Sequence, residues 1–280
     1  MSDLVVGVKC GASDTTSGIA SNPAVRKVVD KVIEDGGTVI FGETTEVLGA
    51  EHILAKRAVD KEVENRIYEK VEEMEKRAAD FGVDIRGGQP TEGNIKGGLT
   101  TIEDKSLGAI VKSGSKPIKD VLECGESPKE NGLYFMDSPG REMEFMTGVT
   151  AAGSQIILFS TGIGAPQGFP TAPVIKITGN IHTYKNLEEH IDIDVSNIIE
   201  SNEKIDEAAE KIFGEVLVEV ASGKKVKAEI LGYDNSGVNN DIYNKRSYNL
   251  KEDKNLKEGS GEKLFWFRLE INDYAENFQK

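Results

Sequence analysis

The side chains best suited to chemistry stand in one short loop near the start of the chain. An apolar run at residues 4–8 predicts a buried strand, and the residues after it are mostly small, polar or glycine as far as Pro23. The loop offers an ammonium group, a thiol, hydroxyls and a carboxylate, from Lys9, Cys10, Ser13, Asp14, Thr15, Thr16 and Ser17. These groups suit a polar substrate with carboxylates or hydroxyls better than an apolar one.

A predicted helix start follows this loop. Ser21 or Asn22 can cap the helix, and Pro23 suits its first turn. The free N–H groups of such an end attract anions, and they would point back over the loop. Gly11 and Gly18 allow a ligand to approach the backbone closely. The sequence therefore predicts a loop that binds an anionic or hydroxylated group.

Two glutamates follow a second predicted strand. Residues 38–42 form an apolar run that leads directly to Glu43 and Glu46. The order strand, helix, strand fits a right-handed βαβ unit with a parallel sheet. Because ligands of open parallel sheets bind beyond the carboxyl ends of the strands, we expect these glutamates and the loop at residues 10–17 to face one crevice.

A third unusual stretch, GGQPTEGNIKGGL at residues 87–99, is too long and too glycine-rich for a simple connector. It carries Asn94 and Lys96, and it precedes a helix predicted over residues 101–114 that carries Lys105. The stretch could close over a ligand or could be a flexible surface loop, and the sequence leaves both interpretations open.

Periodicity elsewhere predicts the elements that must position these residues. The pattern is that of one α/β domain with a mostly parallel sheet flanked by helices. Further strands are predicted at residues 133–136, 155–160, 174–178 and 190–195, and further helices from Pro23 to about 36, over 50–80, over 143–153 and from 205 to about 220. Composition changes near Tyr233, after which only residues 263–271 suggest an edge strand or docking segment.

The composition narrows the class of protein. The chain has 34 Lys and Arg against 48 Asp and Glu, a net charge of −14, which argues against a surface that follows nucleic-acid phosphates. Two cysteines and three histidines form no zinc-type spacing, and a structural disulfide is not expected. Without a leader or an apolar run of the ~20 residues that a membrane helix needs, we expect a soluble cytoplasmic protein with no membrane partner.

Four long motifs resemble the C-terminal domain of the altronate/galactarate dehydratase family, which includes the large subunits of sulfolactate sulfo-lyases. They are CGASDTTSGIASNPAV, GGTVIFGETTEVLGAE, GGQPTEGNIKGGLTTIEDKSLGAIVKSG and LFSTGIGAPQGFPTAPVIKITGN, in uninterrupted order. The resemblance implies a Rossmann-like variant of the α/β fold. It also implies a catalytic domain over residues 1–232, followed by a divergent extension at residues 233–280.

The resemblance further implies a lyase that eliminates water from a sugar acid such as altronate or galactarate. Such enzymes use a divalent metal, Fe²⁺ in the first place, with Mn²⁺ and Mg²⁺ as other candidates. The alternatives are a carbon–sulfur lyase that releases sulfite from sulfolactate, and a non-catalytic binding subunit with the same fold. Because the small β-clip domain and the middle domain of full-length members are missing, a separate β-clip-domain subunit is implied as a partner, and a homo-oligomer stays open.

The resemblance, together with loop position, suggests a role for each candidate residue. The metal ligands would be Asp14, Glu43, Glu46 and Cys10. The base would be Lys96 or Lys105, and substrate hydroxyls would be held by Ser13, Ser17, Asn94 and Thr161. Two of these residues also have a purely structural interpretation. Cys10 could be a small residue packed at a strand end, and Glu46 could be a carboxylate at a helix start.

Two departures from the family pattern affect the expected substrate. Ile95 stands where the family usually has lysine, and Ile163 where it usually has arginine. Isoleucine cannot replace the bidentate carboxylate contact of arginine, so these residues favour the binding-subunit alternative. A nicotinamide-dependent enzyme is disfavoured, because the G-x-G at residues 162–164 lacks the third glycine of the dinucleotide fingerprint.

Overall fold

The computed structural model describes residues 1–233, so the predicted segment at 263–271 and the rest of the tail lie outside the described residues. Seven strands form one sheet in the order β3-β4-β2-β1-β5-β6-β7, and every strand pair is parallel. The strands are β1 Val5–Gly11, β2 Thr38–Phe41, β3 Ile118–Leu122, β4 Leu133–Met136, β5 Ile156–Thr161, β6 Val174–Thr178 and β7 Ile193–Asp194. The predicted α/β class with a mostly parallel sheet is confirmed.

Helices connect the strands and cover the sheet. The α-helices are α1 Asn22–Glu34, α2 Glu51–Ala55, α3 Lys61–Asp80, α4 Glu92–Lys96, α5 Ile102–Val111, α6 Glu142–Ala151, α7 Ile181–Asn186, α8 Asn197–Glu200, α9 Ile205–Lys211, α10 Val218–Ala221 and α11 Lys227–Leu231. A wider π-helical turn at Ser17–Ser21 leads into α1, a second one at Ile212–Leu217 joins α9 to α10, and a short 3₁₀ helix spans Thr44–Glu46. Within residues 1–233, no helix has the length and apolar character to cross a bilayer.

The sheet is buried on both faces. Along β2, Val39 and Phe41 belong to one apolar cluster and Ile40 to another, because successive side chains point to opposite faces. The first cluster also contains the buried valines of α1, and the second contains Phe145 of α6. Burial on both faces explains why the strands read as continuous apolar runs.

Two predicted elements differ from the observed ones, and one observed strand was not predicted. The helix predicted over residues 50–80 is two helices, because the main chain between them forms a bridge in which the Val59 N–H donates to the Ile118 carbonyl. Asp60 then starts α3 by accepting a hydrogen bond from the Val63 N–H. The partner strand β3 carries Lys119 and Asp120 and was not predicted. The strand predicted at 190–195 is only Ile193–Asp194.

Gly42 lies where two strand ends meet. A Cβ added there would stand 2.6 Å from the Met136 carbonyl oxygen and closer still to the Ser138 hydroxyl. We expect Gly42→Ala to lower the free energy of unfolding by about 1–3 kcal/mol, because the backbone of β4 cannot move aside as a side chain can. Urea denaturation would measure it. Gly214→Ala, which meets no atom within 4 Å, is the control. Equal stability of the two variants would contradict the expectation.

Lys176 of β6 is fully buried, and its Nζ donates to the Pro166 carbonyl oxygen over 2.9 Å. Burial lowers its pKa to about 8, an effect that Asp192 opposes. The unfolded chain therefore binds more protons than the folded chain between pH 8 and the ordinary lysine pKa, so this residue's contribution to stability rises with pH in that interval. Below pH 8 the buried charge lowers the stability by its full amount.

We therefore expect the free energy of unfolding of the unmodified protein to rise relative to that of Lys176→Met between pH 8 and 10. The slope should approach about 1.4 kcal/mol per pH unit. Urea titrations at pH 7, 8, 9 and 10 would measure the difference, with Lys185→Met on the exposed side of α7 as the control. If the difference in unfolding free energy between the unmodified protein and Lys176→Met did not change with pH, the lowered pKa of Lys176 would be contradicted.

Candidate active site

A thiol and two carboxylates meet beyond the carboxyl ends of β1 and β2. Cys10 is the penultimate residue of β1, Glu43 follows β2, and Glu46 lies in the short helix Thr44–Glu46. The Cys10 Sγ and one carboxylate oxygen from each glutamate lie within 4.8 Å of one another, and all three residues are buried. The crevice expected from the parallel-strand rule therefore does bring these three predicted residues together.

The turn after β2 aims Glu43 into this crevice. Glu43 has a φ of 69°, in the left-handed region that few non-glycine residues adopt. Ser138, just after β4, stabilises the turn: its hydroxyl accepts from the Glu43 N–H over 2.9 Å, and its carbonyl accepts from the Thr44 N–H over 3.0 Å. The end of β4 therefore fixes a strained backbone that places the carboxylate.

Lys9, which the sequence interpretation left without a role, is the direct partner of Glu43. Its Nζ forms an ion pair with the Glu43 carboxylate and donates to the Gly140 carbonyl oxygen over 2.9 Å. The ammonium group also lies 5.5 and 5.6 Å from the ring centres of Phe145 and Phe159. A lysine within an otherwise apolar strand was the available signal, because a buried charge needs a buried partner.

Lys112, the residue after α5, was missed entirely. Its Nζ lies 2.9 Å from Glu43 Oε2 and 3.2 Å from the Cys10 Sγ, and only 2% of its surface is exposed. A lysine at a helix C-terminus is common on protein surfaces, because it interacts favourably with the helix dipole. No sequence signal separates Lys112 from such a surface residue.

Lys105 completes the group at its more open side. Its Nζ lies 3.3 Å from Glu46 Oε1 and donates to Gln89 over 2.8 Å, while the Cys10 thiol donates to Glu46 Oε2 over 3.1 Å. We call these six residues the ionic cluster: Lys9, Cys10, Glu43, Glu46, Lys105 and Lys112. With the thiol neutral, the ionic cluster has three positive and two negative charges.

Burial and neighbouring charges set the protonation of the ionic cluster. Burial raises the pKa of the Cys10 thiol, and Glu46 adds to the rise, so the thiol stays protonated at neutral pH. Burial also favours a neutral Glu46, but the ammonium groups of Lys105 and Lys112 outweigh it and lower the pKa of Glu46 to about 2. For Lys112, burial lowers the pKa, but the surrounding acidic groups outweigh it and raise the pKa.

The donor set fits a divalent ion in type and in spacing. One thiol and two carboxylates within 4.8 Å of one another are compatible with ligands around a single ion, and the sulfur favours iron over magnesium. The same donors, however, now bind ammonium groups: Glu43 Oε1 contacts Lys9 and Glu43 Oε2 contacts Lys112. An ion that uses Glu43 would share the carboxylate with these two lysines or displace one of them, because each carboxylate oxygen can accept more than one contact.

Asp14, the fourth predicted ligand, is not a member of this group of three donors among the described residues. Its Oδ1 accepts from the Thr16 hydroxyl over 2.6 Å and from the Ser17 N–H over 3.0 Å, and its Oδ2 accepts from the Asn180 Nδ2 over 2.8 Å. Asp14 thereby caps the turn Ser17–Ser21. The prediction that Ser21 or Asn22 caps the helix was wrong, because this turn runs directly into α1 without a side-chain cap at Ser21.

A cavity of about 280 Å³ lies beside the ionic cluster. Four predicted site residues line it: Ser13, Asp14, Ser17 and Lys105. The glycine-rich stretch supplies part of its wall through Gly98 and Leu99. That stretch is not only a loop, since it contains α4, whose start has a reciprocal cap between Thr91 and Asn94.

Three other predicted residues occupy positions outside this lining. The Asn94 Nδ2 donates to the Ser13 carbonyl oxygen over 2.8 Å, and the Thr161 hydroxyl accepts from the Gly164 N–H over 3.0 Å. Both side chains thus fix loops around the site. Lys96 is 74% exposed and forms an ion pair with Glu92 over 2.6 Å. Of the two predicted base candidates, only Lys105 reaches both the cavity and the ionic cluster.

Comparison with known proteins supports the motif resemblance. The family described as D-galactarate/altronate dehydratase, C-terminal, matches residues 1–243. The (2R)-sulfolactate sulfo-lyase subunit beta of Chromohalobacter salexigens is 41% identical over 237 residues, which cover 83% of this chain and 60% of that protein. The galactarate dehydratase (L-threo-forming) of Escherichia coli is 39% identical over 224 residues, which cover 80% of this chain and 42% of that protein.

An altronate dehydratase of Bacillus subtilis is 35% identical over 229 residues, which are 82% of this chain and 46% of that protein. The matched region is therefore most of this chain, but it spans only about half the length of the curated relatives.

Proposed function

The chain belongs to the D-galactarate/altronate dehydratase C-terminal family, and on this basis we propose that it is the catalytic part of a lyase that eliminates water from a sugar acid. One observation carries the proposal: Lys105 lines the cavity, beside Ser13 and Ser17, and also contacts Glu46 of the ionic cluster. The proposed catalytic domain covers residues 1–232, and residues 233–280 are proposed as an extension.

The reaction requires two events at neighbouring carbons. A proton leaves the carbon next to the carboxylate and hydroxide leaves the following carbon, which gives an enol that becomes a 2-keto acid. In its neutral form the Lys105 Nζ can take that proton and return it to the departing hydroxyl, so that water is released. Lys96 is the weaker of the two candidates, because its ammonium group is exposed and paired with Glu92.

The remaining residues bind and orient the substrate in this proposal. Ser13 and Ser17 line the cavity and can hydrogen-bond substrate hydroxyls. Asn94 supports Ser13, and Thr161 supports the loop after β5, so both act by positioning. A divalent ion, Fe²⁺ in the first place with Mn²⁺ and Mg²⁺ as other candidates, would be held by Cys10, Glu43 and Glu46 and would supply Lewis-acid stabilisation to the substrate carboxylate.

A partner is part of the proposal. One relative is named as a subunit beta, and this chain spans 60% of that relative's length. We propose a small β-clip-domain subunit as the partner, and the proposal is compatible with a homo-oligomer. It places the protein in the cytoplasm, where free thiols such as those of Cys10 and Cys124 persist.

A second candidate function is a carbon–sulfur lyase that releases sulfite from sulfolactate. The specific observation in its favour is the 41% identity, over 83% of this chain, to a protein named as a sulfolactate sulfo-lyase subunit. Both reactions begin by removing the proton next to a carboxylate, and they differ in the leaving group.

The test is an anaerobic elimination assay with Fe²⁺ that scores 2-keto acid and sulfite from altronate, galactarate and sulfolactate. The full chain is assayed alone and with the proposed β-clip-domain subunit. Keto acid from a sugar acid, without sulfite, supports the dehydratase, whereas sulfite release supports the second candidate. Folded protein that binds an acid but forms no product under any condition would leave a non-catalytic binding subunit.

A further inference from the structure

We propose that the cavity beside Lys105 selects acids that carry one carboxylate and an uncharged far end, so that altronate is preferred over the diacid galactarate. This inference rests on the proposed function, since it assumes that the reacting end of the substrate lies at the ionic cluster. It names the substrate class that the cavity accepts.

The charges that line the cavity are the first observation. Among the described residues that line it, Lys105 is the single cation, while Asp14 and Asp104 carry negative charge. Asp104 accepts hydrogen bonds from the N–H and the hydroxyl of Thr100, and Asp14 accepts from hydroxyl, N–H and amide groups. These partners are uncharged, so neither carboxylate is neutralised by them.

The apolar rim of the cavity is the second observation. Ile19 and Leu107 line the cavity, and they are 54% and 45% exposed. No lysine or arginine besides Lys105 is among the described residues that line the cavity. The exposed part of the wall therefore carries two large apolar side chains rather than a cation that could pair with a second carboxylate.

These observations define what the carboxylates of a substrate meet in the cavity. One carboxylate can pair with Lys105, which also contacts Glu46 of the ionic cluster. A second carboxylate would find no further cation among the described lining residues to offset its loss of hydration, and Asp14 and Asp104 would repel it. A hydroxyl in its place avoids the repulsion and the loss of charge hydration, because it is uncharged and can donate to a carboxylate.

The experiment compares kcat/KM and calorimetric Kd for altronate, galactarate and sulfolactate, with the full chain and its small subunit. We expect altronate to be favoured over both dianions by at least about tenfold, the order of one unfavourable charge interaction at a partly screened site. Asp104→Asn and Ile19→Arg, both at residues that line the cavity, should each narrow the altronate-to-galactarate ratio by at least about threefold, mainly by improving the kcat/KM for galactarate.

Ile230→Arg on α11 is the matched control, because it adds the same charge at a position that is 68% exposed and not part of the cavity lining. It should leave the ratio unchanged. A wild-type preference for either dianion, or equal effects of Ile19→Arg and Ile230→Arg, would overturn the inference while the lyase proposal stands. No turnover of any acid would overturn the lyase proposal and the inference together.

Discussion

Replacing Glu43 with alanine is expected to lower the free energy of unfolding by about 3–5 kcal/mol and to abolish turnover. The Glu43 carboxylate is fully buried and pairs with both Lys9 and Lys112. Its removal leaves two buried ammonium groups without their direct ion-pair partner, and the attraction of Glu46 and, for Lys9, of Glu142 does not replace that contact. Urea denaturation followed by circular dichroism would measure the loss, alongside the elimination assay.

Lys112→Met is the informative comparison. It removes one of the three positive charges but leaves Lys9 paired with Glu43 and Lys105 paired with Glu46. We therefore expect it to cost less than about 2 kcal/mol, even though Lys112 is as deeply buried as Glu43. Glu123→Ala, a carboxylate that is 61% exposed, controls for the loss of a surface ion pair and should cost at most about 1 kcal/mol. A larger loss in Lys112→Met than in Glu43→Ala would contradict this charge balance.

Lys105→Met is expected to lower kcat/KM by about 10²–10⁴, the usual contribution of a general acid or base, while the protein stays folded. Lys96→Met is the matched control. Lys96 lies nine positions before Lys105, and its side chain is exposed and forms an ion pair with Glu92. It should change kcat/KM by no more than about twofold, as for most surface substitutions. Steady-state kinetics with altronate would measure both.

Lys105→Arg separates the two roles that Lys105 could have in the reaction. Arginine keeps the positive charge but does not lose its proton in proteins, so it can hold a carboxylate but cannot act as a base. If Lys105→Arg is as inactive as Lys105→Met, the result supports a role for Lys105 as the base. Recovery of most of the lost kcat/KM would show that Lys105 acts by charge alone, and a strong effect of Lys96→Met would contradict the assignment.

The part of the site that could be predicted follows from local rules. Cys10 and Glu43 stand directly after apolar strands, and the rule for parallel sheets places the carboxyl ends of neighbouring strands together. Asp14 lies in the same predicted loop, yet its carboxylate caps a helical turn. Whether Asp14 is a metal ligand or a helix cap depends on where the helix begins. Pro23 led to a predicted helix start that is later in the chain than the observed turn at Ser17–Ser21.

What could not be predicted depends on contacts between distant segments. Lys112 reaches Glu43 across 69 positions of sequence, and only the packing of α5 against α1 and the short helix Thr44–Glu46 brings it there. Lys96 and Lys105 looked equivalent because both follow glycine-rich sequence, and only the reciprocal cap of α4 turns Lys96 outward. The strand β3 was missed because Lys119 and Asp120 interrupt its apolar pattern, although Val121 and Leu122 are buried.

The place of β1 in the sheet has a consequence for synthesis of the protein. Although β1 is made long before β5, one of its edges pairs with β5, which ends at Thr161, and the Asp14 carboxylate beside it binds Asn180. On the ribosome, that edge of β1 therefore stays unpaired until translation has passed β5. An unpaired strand edge made of apolar residues can pair with another nascent chain and start aggregation. We therefore expect β1 to be the segment at which a chaperone is needed during synthesis.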